Sequence, residues 1–287
     1  MRGFAAALAA LAVFAGGAEA QQQRDPFNGQ FGSVALAAPP AEAARLATLM
    51  GDALAGLQPQ RPGELDVYMI TASLWSDPVF EREASQSEEI LRTHFAAEGR
   101  SILLSAGGQG ARTYPAATPD TIAAAIGRVG ALADPSEDMV VIFITSHGQP
   151  DGAAAIREHN RMGAALRPTH LRDMLAQANI RNRIVIVSAC FSGAFLAPLM
   201  DDNTIVLTAA APDRSSFGCQ PQRDWTFFGD AFFNRQLREG RGLIAAFDGA
   251  KRQIEGWERE QNLSPPSNPQ RFVGARAAEM LRRAERR

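Results

Sequence analysis

Unbroken runs of aliphatic residues recur along the chain, and they constrain its fold more than any other feature of the sequence. A strand with one solvated face alternates apolar and polar residues, whereas a continuous run of Val, Ile and Leu indicates a strand covered on both faces. Such runs predict strands at residues 65–71, 101–106, 139–145, 183–189 and 204–210. The segments between and around them predict helices at residues 41–57, 80–97, 119–132, 168–178, 226–238 and 243–258. This alternation predicts an α/β protein with a mostly parallel central sheet between two layers of helices.

The first 20 residues have the features of a signal peptide. Arg2 precedes an apolar run at residues 4–14, and Ala18-Glu19-Ala20 has the small residues that a signal peptidase requires. The run is too short to cross a bilayer, which takes about 20 apolar residues. We predict cleavage near Ala20 and a periplasmic or secreted, soluble mature protein without a transmembrane helix. An N-terminal membrane anchor is the alternative.

The remaining chain divides into three segments. Residues 21–64 form a lead-in segment with one helix, residues 65–274 form the folded core, and residues 275–287 form a basic helical tail whose charges favour a solvated face. The chain has 29 Lys and Arg residues against 31 Asp and Glu residues, a net charge of −2. Phosphate binding needs a basic surface, so this balance does not favour nucleic acid as a partner.

Two predicted strands are followed directly by reactive side chains. His147 comes just after the strand at 139–145, and Cys190 just after the strand at 183–189. Parallel neighbours end at the same edge of a sheet, where α/β proteins bind their ligands, so we expect the two side chains to meet. A thiolate attacks acyl groups readily, and a neighbouring imidazole can activate it and protonate the leaving amine. Without a side chain, Gly148 can direct its N–H at a developing oxyanion.

Each of these residues also has a simpler interpretation. His147 could be an ordinary loop histidine, and Cys190 a small buried hydrophobic residue. In an oxidising compartment, Cys190 and Cys219 could instead form a structural disulfide. Four scattered histidines and two cysteines show no close ligand pair, so we predict no metal site and no cofactor.

Several blocks of the sequence resemble a known family. TSHG at residues 145–148 and SACFSGAF at residues 188–195 look like the His-Gly and Ala-Cys blocks of the legumain-like C13 family of cysteine peptidases. That family belongs to the clan that also holds caspases and gingipains. TAAAPDRSSFGC at residues 208–219, followed by FFGDAFF at residues 227–233, resembles the segment after the nucleophile. SNPQRFVG at residues 267–274 is similar to the close of bacterial members, so the chain is identified as a bacterial member of the family.

The resemblance implies a fold and a catalytic pair. The expected fold is a caspase-like three-layer α/β sandwich, and the expected activity is hydrolysis of peptide bonds without a cofactor. Carried over by position, Cys190 is the nucleophile and His147 the general acid and base. The backbone N–H groups of Gly148 and Cys190 are the expected oxyanion donors.

The resemblance also implies a substrate pocket and shows two departures. Ser215, Ser216 and Asp230 match positions near the family's pocket, and Arg82 or Glu81 falls near its basic residue in a looser alignment. Legumains carry a glutamate two residues before the nucleophile, where this chain has Ser188.

The second departure is that the family's asparagine, which orients the histidine, has no clear counterpart around residues 77–80. We therefore predict an exported Cys–His endopeptidase that acts on peptides or proteins after Asn, Asp or another small polar residue. The alternative is a non-catalytic caspase-like scaffold in which Cys190 is buried or bonded to Cys219.

Overall fold

The computed structural model describes residues 38–107, 113–158 and 163–286. The predicted signal peptide therefore lies outside the described residues, as does the lead-in segment up to residue 37. From residue 38 onwards the described chain forms one compact unit. Within the described residues, no helix combines the length and the apolar character needed to cross a membrane.

A six-stranded sheet forms the centre of this unit, with the strand order β2-β1-β3-β6-β7-β8. The first five strands in this order are parallel to their neighbours, and β8 is antiparallel to β7. A separate antiparallel hairpin is formed by β4 and β5. The strands are β1 (Val67–Ser73), β2 (Ser101–Ser105), β3 (Met139–Thr145), β4 (Ala154–Ile156), β5 (Ala164–Leu166), β6 (Arg183–Ser188), β7 (Thr204–Thr208) and β8 (Gln270–Val273).

Helices connect most of the strands. They are α1 (Pro40–Ala55), α2 (Pro78–His94), α3 (Pro119–Leu132), α4 (Pro168–Gln177), α5 (Leu196–Leu199), α6 (Phe227–Gly229), α7 (Leu243–Glu260) and α8 (Ala275–Ala284). A 3₁₀ turn at Ser192–Phe195 precedes α5, and α6 continues as a π-helix at Asp230–Leu237. A capping box explains why α3 begins where the sequence predicts: the Thr118 hydroxyl accepts from the Thr121 N–H, and the Thr121 hydroxyl accepts from the Thr118 N–H.

The central strands contribute alternate residues to two hydrophobic cores on opposite faces of the sheet. In β3, Val141 and Phe143 lie in one core, and Val140, Ile142 and Ile144 lie in the other. Residues of α2, the π-helix, α7 and α8 complete the first core, and residues of α1, α3, α4 and α5 complete the second. Because both faces of the sheet are covered, these strands are apolar throughout. The predicted three-layer sandwich with a mostly parallel sheet is confirmed.

Three elements differ from the sequence-based expectation. The hairpin β4–β5 and the edge strand β8 were not predicted, because they are short and β8 has a polar, half-buried sequence. The basic tail does form a helix, α8, but that helix is not surrounded by solvent. Its apolar residues recur at helical spacing and pack on the first core: Ala277, Met280, Leu281 and Ala284.

Candidate active site

The register of β3 and β6 brings His147 and Cys190 to the same edge of the sheet. Thr145 pairs with Ser188 at the carboxyl ends of these parallel strands, and each reactive residue follows two positions later. The Ser146 N–H extends the pairing with a bond of 3.1 Å to the Ser188 carbonyl oxygen. The two residues thus leave neighbouring strands at equivalent positions, as the sequence predicts.

Gly148 lies directly against the backbone of Cys190. A Cβ atom at position 148 would overlap the Cys190 carbonyl oxygen and would lie 3.0 Å from its backbone nitrogen. Only glycine allows this approach. Among the described residues, neither the Gly148 N–H nor the Cys190 N–H donates a hydrogen bond within the chain. Within the described residues both N–H groups are therefore available as hydrogen-bond donors, as an oxyanion donor must be.

A sharp turn follows Cys190. Phe191 has φ +58°, in the left-handed region, which costs a residue with a side chain roughly 1–2 kcal/mol. Its N–H donates to the Arg214 carbonyl oxygen at 2.7 Å, and a Cβ at Gly193 would lie 2.5 Å from the Pro212 nitrogen. The segment 211–219 therefore packs closely against the turn and offsets its strain. This packing presents Cys190 at the strand end.

The Cys190 sulfur is surrounded by hydrogen-bond donors from the same segment. The Ser216 N–H donates to it at 3.3 Å, the Ser216 hydroxyl lies 3.6 Å away, and the Cys219 thiol interacts with it. These donors, the Cys219 thiol foremost, lower the pKa of Cys190 from 9.0 to about 5, although burial acts in the opposite direction. The interaction with Cys190, together with burial, raises the pKa of Cys219. Both cysteines are half-buried free thiols, so the sulfur atoms are not bonded to each other.

His147 is held by residues that follow β1, the neighbour of β3. Asp77 Oδ2 lies 3.3 Å from His147 Nε2, at the position just before α2 begins. The rings of Trp75 and Phe80 contact the imidazole edge-on, with centroid distances of 5.2 Å and 4.9 Å. Because Asp77 occupies Nε2, Nδ1 remains for proton exchange with a substrate.

Sequence analysis did not identify Asp77 as a partner of His147. It lies in the region where no counterpart of the family's asparagine was clear, at residues 77–80. The available signal was its place after a predicted strand and before Pro78, a residue suited to a helix start.

A buried acid lies behind the predicted pocket residue Ser188. The Ser188 hydroxyl is 3.2 Å from the Thr226 hydroxyl, and the Thr226 N–H and hydroxyl both donate to Glu83 of α2 at 3.0 Å and 3.2 Å. Burial raises the pKa of Glu83 to about 7, partly opposed by its bonds with Thr226 and Ser188. A Cβ at Gly229 would lie 2.6 Å from the Glu83 carboxyl carbon, so this glycine makes room for the acid. Sequence analysis did not identify Glu83, because nothing in a helix periodicity distinguishes a buried glutamate.

The other predicted pocket residues have different surroundings. Ser215 is exposed and Ser216 is half-buried beside the Cys190 sulfur. Asp230 accepts hydrogen bonds from Asn234 at 2.7 Å and from Arg235 at 3.2 Å.

Arg82 contacts the segment 221–224. Its guanidinium donates to the carbonyl oxygens of Pro221 and Arg223, both at 2.6 Å, and pairs with Asp224 at 3.1 Å. These contacts hold the segment 221–224 against α2. In the part of the chain that the structure describes, no group of three or more His, Cys, Asp or Glu residues could hold a metal ion.

Residues 116–272 match the family model described as Peptidase C13 family. The matched region includes His147, Cys190 and Cys219, whereas Asp77 and Glu83 precede it. No curated protein matches the chain. Among solved structures, the chain is similar to the crystal structure of caspase-1 from Spodoptera frugiperda, with 10% identity and a TM-score of 0.50. The similarity covers 76% of this chain and 89% of that chain, and at this identity it shows the fold alone.

Proposed function

Because the chain belongs to the peptidase C13 family, we propose that it is a cysteine endopeptidase with Cys190 as nucleophile and His147 as general acid and base. The observation that carries the proposal is the register of β3 and β6, which places each of these residues two positions after the end of its strand, at one edge of the sheet. The low pKa of the Cys190 thiol, about 5, supports the nucleophile assignment, since the thiolate is the reactive form.

In the proposed first step, the Cys190 thiolate attacks the carbonyl carbon of the scissile peptide bond. The carbonyl oxygen becomes negatively charged and is stabilised by the N–H groups of Gly148 and Cys190. The protonated His147 ring gives a proton from Nδ1 to the leaving amine, and a thioester with Cys190 remains. His147 then takes a proton from water, the hydroxide attacks the thioester, and the Cys190 thiolate is released with the carboxylic acid product.

We assign Asp77 as a positioning residue in this mechanism. Its carboxylate accepts from His147 Nε2, fixes the orientation of the ring and stabilises the imidazolium while the proton is held there. Trp75 and Phe80 restrict the same ring from its sides. The proposed site is therefore a triad in which the acid comes from the loop between β1 and α2.

For specificity, we propose a short polar pocket that accepts Asn, Asp or another small polar side chain before the cut bond. Ser188, Ser215, Ser216 and Asp230 are its proposed lining. Ser188 is shorter than the glutamate of legumains and is buried with its hydroxyl bonded to Thr226, which favours hydrogen bonding over charge recognition. We leave Arg82 out of the pocket because its guanidinium is bonded to the segment 221–224.

We extend the proposal to export, because residues 1–20 have the composition of a signal peptide. Export predicts that the mature protein begins near residue 21. N-terminal sequencing of the protein secreted to the periplasm or medium checks this, and a mature chain that retains the apolar run at 4–14 would contradict it.

The test of the proposed activity is a fluorogenic peptide library, assayed with the wild type and with Cys190→Ala. We expect cleavage after small polar residues by the wild type and none by Cys190→Ala. Met200→Ala is a matched control, since Met200 is exposed and lies just before the amino end of β7. Equal cleavage by the wild type and Cys190→Ala would show that Cys190 is not the nucleophile.

A further inference from the structure

The two cysteines of the chain interact at one site, although 28 residues separate them in the sequence. The interaction between the two thiols is the first cause of the shift in each of their pKa values, and the Ser216 N–H, three residues before Cys219, donates to the Cys190 sulfur at 3.3 Å. Both side chains are half-buried. We propose that Cys219 is a resolving thiol, which forms a reversible disulfide with Cys190 by exchange with a small-molecule disulfide. This inference rests on the proposed function, since the bond would block the nucleophile of the peptidase.

The segment that carries Cys219 is fixed to the Cys190 turn at several points. The Phe191 N–H donates to the Arg214 carbonyl oxygen at 2.7 Å, and the Ser216 N–H donates to the Cys190 sulfur at 3.3 Å. Gly218, with φ +90°, turns the chain between Ser216 and Cys219, and a Cβ there would lie 2.6 Å from the Phe227 nitrogen. These contacts hold the segment that carries Cys219 against the turn that carries Cys190.

The two thiols differ in a way that sets the order of the steps. Cys190 ionises readily, whereas the pKa of Cys219 is raised, first by its hydrogen bond to Cys190 and then by burial. Cys190 therefore attacks the external disulfide first. Once Cys190 is bound in a mixed disulfide, its negative charge is gone and the main cause of the raised pKa of Cys219 is removed. Cys219 can then lose its proton and attack.

The exchange balances with oxidised glutathione as the external disulfide. The Cys190 thiolate attacks one glutathione sulfur, the glutathione S–S bond breaks, and one glutathione thiolate leaves and takes up a proton. The Cys219 thiolate then attacks the Cys190 sulfur, the mixed S–S bond breaks, and the second glutathione leaves. Two protein thiols are oxidised by two electrons, and one glutathione disulfide is reduced to two thiols. The predicted signal peptide would direct the protein to a compartment where such disulfides persist.

The experiment treats reduced, purified mature protein with oxidised glutathione at neutral pH, blocks the remaining thiols and maps tryptic peptides by mass spectrometry. Trypsin cuts after Arg183, Arg214 and Arg223, so Cys190 and Cys219 fall in the separate peptides 184–214 and 215–223. In the wild type we expect these peptides to be cross-linked and free of glutathione, with full loss of cleavage that dithiothreitol restores. In Cys219→Ser we expect one glutathione to remain on Cys190.

The peptide map decides the inference separately from the activity assay. A wild-type protein that keeps glutathione on Cys190 while Cys219 stays open to alkylation would overturn it. If Cys219→Ala also keeps one glutathione on Cys190, as expected for Cys219→Ser, the resolving role of Cys219 is supported. Agreement between the two variants shows that the result does not come from a folding defect in one of them. If Cys190→Ala cleaves peptides as well as the wild type, the proposed function fails, but the cross-link still decides whether the pair exchanges.

Discussion

The ionisation of Cys190 provides a quantitative test of the site. Its pKa is about 5, so about 99% of the thiol is ionised at pH 7, compared with about 1% for a thiol at the ordinary value of 9.0. The reaction with iodoacetamide follows the thiolate fraction. At pH 7 the alkylation rate of wild-type Cys190 should therefore be about 99% of its own plateau at high pH, whereas a thiol with the ordinary pKa would reach about 1% of its plateau.

The perturbation is removal of the largest donor, the Cys219 thiol. Cys219→Ala should raise the pKa of Cys190, because only the Ser216 and Ser215 donors remain to oppose burial. Cys219→Ser keeps an O–H donor, so its pKa should lie between those of the wild type and Cys219→Ala. The acid limb of the cleavage rate should move to higher pH in the same order.

The assay is the rate of alkylation of peptide 184–214 as a function of pH, measured by mass spectrometry. This peptide contains Cys190 and no other cysteine, so the signal of Cys219 does not interfere. If the alkylation of the wild type has its midpoint near pH 9, the hydrogen-bond donors do not lower the pKa of Cys190. An unchanged midpoint in Cys219→Ala would refute the assignment of the Cys219 thiol as the main donor.

Three further substitutions test the surrounding geometry. Asp77→Ala should lower kcat by about 10–100-fold with little change in KM, since a hydrogen bond to a charged group is worth about 1.5–3 kcal/mol; a normal kcat would remove Asp77 from the site. Gly148→Ala should reduce kcat/KM by about a hundredfold or more, because its methyl group would collide with the Cys190 carbonyl oxygen and displace an oxyanion donor; retained activity would show that the close approach is not needed. Because burial raises the pKa of Glu83 from 4.5 to about 7, the folded protein binds this proton more tightly than the unfolded chain, and stability should fall by on the order of 3 kcal/mol as pH rises through this range. Glu83→Gln should remove that fall in denaturant titrations, and equal pH dependence of the two proteins would contradict it.

The sequence alone determined the layers of the fold and two residues of the proposed catalytic site. Strands such as β3 and β6 are apolar on both faces, and that local pattern already requires a sheet between two helix layers. The positions of His147 and Cys190 follow from the same pattern, because each comes just after such a strand and parallel strands end at one edge.

Only the tertiary structure placed Asp77 beside His147 and buried Glu83 behind Ser188. Asp77 approaches His147 because β1 lies beside β3 in the sheet, and strand order is not encoded by the local periodicity of any segment. Glu83 lies on a helix whose sequence has many similar acids, and only the packing of α2 against residues 226–229 makes it buried. The thiol of Cys219 likewise interacts with Cys190 because the segment 211–219 packs against the turn that follows Cys190. Contacts between distant segments depend on how the layers pack, so these three roles appear only in the folded chain.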